Sequence, residues 1–197
     1  MSRRLSVSKA TVVKTLAVPF ALLASGGLVY QSSYAAFSGT TNNPANSWAA
    51  GQVVLTDDDS GAAMFTATKL KPGSTGQKCI VVSSTSTVAS TLKMYSSAVT
   101  TTNALSTYLN LTVEEGTGGS FGSCVGFSPG GTDFTGTLAN LGTTATGFAS
   151  GVGSFALTGT PTETRTYRFT YTVDAATPNS VQNGTAAATF VWEADSV

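Results

Sequence analysis

Three consecutive aspartates, Asp57-Asp58-Asp59, followed by Ser60 and Gly61, form the densest anionic cluster in the chain. Hard carboxylate oxygens gathered at a turn are the ligands that calcium takes, so these three are the candidate metal residues. The run lacks the Asp-x-Asp-x-Asp-Gly spacing and the downstream bidentate glutamate of a calcium loop, and its plainer reading is a solvated acidic turn that ends a strand. Glu114-Glu115 is a second carboxylate pair. Two carboxyl groups flanking one bond can hydrolyse a glycoside, but neighbours on a strand point to opposite faces, so this pair is expected to be structural.

The chain contains no histidine. That removes the commonest general base, the usual zinc ligand and any His-Glu-x-x-His helix. A Ser/Lys pair is the remaining nucleophile option, and Ser6 to Lys9 reads Ser-x-x-Lys, but it falls in the N-terminal segment read below as a signal. No catalytic residues and no cofactor are assigned, and the expectation is a protein that is not an enzyme.

Cys79 and Cys124 are the only cysteines. In an exported chain they pair naturally as a disulfide, whose loop of about 45 residues stabilises the fold by roughly 4 kcal/mol in the chain-entropy model. The alternative is two separate buried thiols; a redox site would want Cys-x-x-Cys or a cation beside the sulfur. Asn110-Leu111-Thr112 and Asn183-Gly184-Thr185 match the glycosylation sequon, a short pattern that recurs by chance in a threonine-rich chain. Trp48 and Trp192 are the two indoles that could stack on a sugar, although Trp192 shares the alternation Ala188, Phe190, Trp192 and reads as core.

The elements that must position these residues are strands. Threonine, serine, glycine and alanine dominate, and no segment beyond the N-terminus sustains an apolar period of 3.6. Residues 164–174 alternate Tyr167, Phe169, Tyr171 and Val173 with Arg168, Thr170 and Thr172, the signature of a strand with one buried face. Residues 108–114 repeat it with Leu109, Leu111 and Val113. Further strands are expected at 52–56, 63–69, 78–83, 88–95, 134–138, 153–157 and 185–193, about nine in all. A helical turn is expected within 101–108, and residues 116–131 form the longest irregular stretch. Turn-rich punctuation and many short strands indicate an all-β, antiparallel sandwich over 51–197 as a single domain.

The N-terminus stands apart. Arg3, Arg4, Lys9 and Lys14 precede an apolar run over 15–30 that holds Pro19, Gly26 and Gly27, the layout of a helical secretory signal peptide over 1–35. Small residues favour cleavage between Ala35 and Ala36, and no membrane span remains afterwards. The chain then carries six basic and ten acidic residues, a net charge of −4. The cations are scattered at Lys69, Lys71, Lys78, Lys93, Arg165 and Arg168, which argues against nucleic acid as a partner.

Ala36-Phe37-Ser38-Gly39, followed by Ser47-Trp48-Ala49-Ala50-Gly51-Gln52-Val53-Val54-Leu55-Thr56, resembles the mature start of TasA/camelysin-family proteins with SipW-type signal peptides, most of all their small actinobacterial members. The resemblance covers the signal and the first strand. It implies a jelly-roll-like sandwich that is secreted or surface-associated, and for the matrix proteins, self-assembly into cell-surface or biofilm-matrix fibres by lending an N-terminal strand to the next subunit. On that reading residues 36–50 are a flexible segment with Phe37 and Trp48 as donor-strand anchors, and other surface or matrix proteins are further partners. The alternatives are a camelysin-like surface metallopeptidase, which the absence of histidine disfavours, and an extracellular ligand-binding module.

Overall fold

Residues 163–173 show how the fold is made. Tyr167, Phe169 and Val173 are buried along one face of this strand, while Thr164 and Thr172 on the other are exposed. Its neighbours repeat the alternation, so each strand can hide an apolar face only against a second sheet. The computed structural model describes residues 50–197. The expected signal peptide over 1–35, the expected cleavage between Ala35 and Ala36, and the expected anchors Phe37 and Trp48 lie outside the described residues.

Gly51–Val197 is one compact unit of eight strands, all paired antiparallel. The strands are β1 (Leu55–Asp57), β2 (Thr75–Ser84), β3 (Ser90–Thr101), β4 (Leu109–Thr117), β5 (Ser128–Thr137), β6 (Val152–Leu157), β7 (Glu163–Val173) and β8 (Ala186–Ser196). One sheet runs β1-β2-β7-β4-β5 and the other β6-β3-β8. Ile80 and Val82 from β2, Leu111 and Val113 from β4, and Phe169 from β7 meet Leu92 and Met94 from β3 in the core between the sheets. The all-β sandwich expected from the sequence is present.

Two details differ from the sequence expectation. Residues 63–69 form no strand, so the count is eight rather than about nine. Met64 is buried and its neighbour Phe65 also packs inward, edge-on against Tyr171 at 5.2 Å. Consecutive inward side chains are incompatible with strand alternation. A short helix, α1 (Leu138–Thr144), follows β5 directly. The Thr137 side chain accepts the Asn140 backbone N–H at 3.1 Å as its N-cap, and Leu138 and Leu141 drop into the core. The turn expected within 101–108 is a 3-10 turn at Leu105–Thr107.

The irregular stretch narrows to residues 118–127, because β4 and β5 extend into it from both ends. Cys79, buried on β2, is bonded to Cys124 in this loop, with Cα atoms 5.3 Å apart. Among the described residues, no helix is long and apolar enough to cross a membrane.

Candidate functional site

The acidic turn is consumed by backbone. Asp58 Oδ1 accepts the Val81 N–H on β2, and Oδ2 accepts the Phe121 N–H in the 118–127 loop, both at 2.8 Å. Asp57 Oδ1 accepts Asp59 N–H at 3.3 Å and Asp59 Oδ1 accepts Gly61 N–H at 2.5 Å. Burial and the neighbouring Asp59 raise the Asp57 pKa. The three side chains therefore shape a turn and clamp a loop to a strand, and among the described residues no three metal-ligating side chains converge.

Glu114 and Glu115 diverge as adjacent strand residues must. Arg168 donates to Glu114 Oε2 from Nε at 2.8 Å and from Nη2 at 2.6 Å, and its guanidinium lies 4.6 Å from the Phe127 ring centre. Glu114, Arg168 and Cys79 stand in one row across β4, β7 and β2. Glu115 belongs to the opposite face, where Arg165 Nε lies 2.6 Å from its Oε2.

Two further serine motifs are present in the sequence. Gly118-Gly119-Ser120-Phe121-Gly122 reads Gly-x-Ser-x-Gly, but Ser120 is exposed in a tight turn closed by its own backbone bonds to Ser123, not between a strand and a helix. Ser90 to Lys93 reads Ser-x-x-Lys, but both lie on β3, where residues three apart point to opposite faces. Ser90 is buried, and the Lys93 ammonium sits over the Phe148 ring at 5.1 Å.

The two sheets leave two lateral edges, one between β5 and β6 and the other between β1 and β8. The second is open. β8 is eleven residues long, yet β1 facing it across the sandwich has three. The inward residues Ala186, Ala188, Phe190, Trp192 and Ala194 are all only half-buried. Phe190 packs tilted against Phe169 and Trp192 edge-on to it, at 4.6 and 6.0 Å between ring centres, and both line a groove of about 240 Å³ together with Leu55, Thr56, Asp57, Val82 and Val191. The Trp192 Nε1 donor is buried without a hydrogen-bond partner. Trp192 is thus a core residue on one side, as its alternation indicated, and a groove wall on the other.

Strand order explains the opening. A jelly roll sets its first strand beside its last, opposite a sheet formed by the second, seventh, fourth and fifth. Here β2-β7-β4-β5 and β6-β3-β8 reproduce that arrangement, but β1 is attached to β2 instead. Among the described residues nothing pairs with the outer edge of β8. Among the described residues, β8 therefore presents a long unpaired edge beside a half-covered apolar face.

These features define an antiparallel β-sandwich with jelly-roll strand order, one disulfide and a β8 edge that is unpaired among the described residues. No family model matches the chain, and no curated protein matches it.

Proposed function

We propose that this protein is a secreted structural subunit of TasA/camelysin type, which assembles into extracellular fibres by laying residues 36–50 of one copy along β8 of the next. The single observation that carries this reading is the β8 edge, left without its first-strand neighbour and bordered by a half-covered apolar face.

Length and direction support it. Fifteen extended residues reach about 50 Å, and the eleven residues of β8 need about 36 Å. The chain enters the described fold beside residues 85–89, where Gln52 and Thr87 exchange hydrogen bonds and Ala89 accepts the N–H of Val197. That is the Ser196 end of β8. A chain's own upstream segment would therefore lie parallel to β8, whereas every other pair in the sandwich is antiparallel. A segment from a second copy is free of this restriction and can take the antiparallel register, which is slightly more stable per residue.

Negative-stain electron microscopy and light scattering on the chain without residues 1–35 test the reading. Filaments or oligomers are expected, and removal of residues 36–50 abolishes them without unfolding the sandwich. A chain that stays monomeric across ionic strengths, pH values and surfaces overturns it.

A further inference from the structure

The other lateral edge of the sandwich, between β5 and β6, contains a partly buried charge imbalance. Val113 on β4 pairs with Phe134, while Glu114 pairs with Thr132, so Asp133 is the extra residue of a bulge in β5. Bulges re-aim side chains. This one brings Asp133 to the wall of a cavity of about 50 Å³, shared with Glu115 from β4, Tyr167 from β7, and Ser154 and Phe155 from β6. Its carboxyl lies against Gly153 of the opposite sheet, where a Cβ would come within 2.8 Å of the carboxyl carbon. Gly153 has φ +69°, so both its backbone and the carboxyl above it require glycine.

We propose that Asp133 is a proton-operated latch between the two sheets: as the neutral acid it seats the β5 edge against Gly153 on β6, and on ionisation it loosens that joint.

The charges that face Asp133 can be counted. Glu115 comes from β4, and Arg165 and Tyr167 come from β7. From β6, Gly153, Ser154 and Phe155 contribute no titratable group, and Asp133 is the one charged residue on β5. Among the described residues, Arg165 is the sole cation facing these two carboxylates. Its Nε is at ion-pair distance from Glu115 Oε2, 2.6 Å, without the alignment of a hydrogen bond, and its plane covers the Phe155 ring at 3.7 Å. Asp133 Oδ2 is buried with no hydrogen-bond partner. On the side of the buried Oδ2, a cavity of about 50 Å³ admits roughly one or two waters. With Asp133 neutral the cluster sums to zero; with Asp133 ionised it carries one uncompensated negative charge.

Burial pushes the Asp133 pKa up to about 6, with repulsion from Glu115 adding to the rise and Arg165 opposing it. Burial likewise raises Tyr167, with Asp133 and Glu115 contributing, so its hydroxyl stays protonated while Asp133 titrates. The folded state holds the Asp133 proton more tightly than the unfolded chain. Its contribution to stability is therefore largest in acid, falls as pH rises from the ordinary carboxylate value of 3.8 to about 6, and stays low above that.

Carboxyl-detected NMR titration, together with amide hydrogen exchange over residues 152–157 at pH 5 and pH 7.5 corrected for intrinsic rates, tests the latch. The expected results are an Asp133 midpoint near 6 and β6 protection that drops several-fold at the higher pH. Asp133→Asn keeps β6 protected at both values. Glu115→Gln frees Arg165 for Asp133 and moves the midpoint down, which keeps the test available should Asp133→Asn fail to fold. An Asp133 midpoint in the ordinary carboxylate range, or an undiminished pH dependence of β6 protection in Asp133→Asn, overturns the proposal.

Discussion

Cys79 and Cys124 join the centre of a buried strand to the outermost loop of the sandwich, with their Cα atoms 5.3 Å apart and 45 residues of chain between them. Cys79 is fully buried, so the bond is shielded as well as cross-linking. Replacing both cysteines by serine is expected to cost about 2–4 kcal/mol, mainly through the freed unfolded chain. For a unit of this size that lowers Tm by on the order of 10 °C in scanning calorimetry.

Asp58 holds the same loop from the other side. Asp58→Ala leaves the Val81 and Phe121 N–H groups without their acceptor, a loss of about 2 kcal/mol for two exposed, charge-assisted bonds. The expected outcome is faster proteolytic nicking within residues 118–127 and a modest fall in urea midpoint. Because these oxygens are engaged by backbone, chelator is expected to leave Tm unchanged; a clear drop would restore the acidic turn as a calcium site.

Phe169 is fully buried at the meeting point of Phe190, Trp192 and both sheets. Phe169→Ala opens a cavity that two sheets braced by long strands cannot collapse to fill, and is expected to cost about 3–5 kcal/mol in denaturant unfolding.

Trp192→Phe separates folding from assembly. An aromatic ring facing Phe169 is kept and the unpartnered N–H is removed, which offsets part of the packing lost with the larger indole, so monomer stability is expected to change by no more than about 1 kcal/mol. The smaller ring also removes part of the groove wall that residues 36–50 of another copy would cover, so the critical concentration for assembly is expected to rise about five-fold, the equivalent of about 1 kcal/mol of lost apolar contact. Sedimentation of assembled material against total protein measures this directly.

Much of the fold was legible because period-two alternation is a local property. Tyr167, Phe169 and Val173 announce a buried face without reference to any partner, and seven of the expected strands besides 63–69 needed only boundary changes, as did the 164–174 strand itself. The exceptions are short or mixed signals. Helix α1 has seven residues, with Asn140, Gly142, Thr143 and Thr144 among them, too few and too poor in helix formers to show a period; its capping residue Thr137 was the available signal. Residues 63–69 alternate weakly, and Met64 beside Phe65 breaks the pattern.

The sequence by itself determined an all-β chain, its two cysteines, its lack of histidine, and the opposed directions of Glu114 and Glu115, since composition and alternation are read along one strand. Only the tertiary structure decided which side of the sandwich stays open and which carboxylates meet. Whether β1 pairs with β2 or with β8 depends on contacts between residues far apart in the chain, and a bulge that turns Asp133 towards Glu115 shifts register without leaving a mark in composition. The acidic turn shows the same division: Asp57, Asp58 and Asp59 stand out in the sequence as charge, and the fold uses Asp58 as the hydrogen-bond acceptor for a loop 63 residues further along, while Asp57 and Asp59 accept within the turn itself.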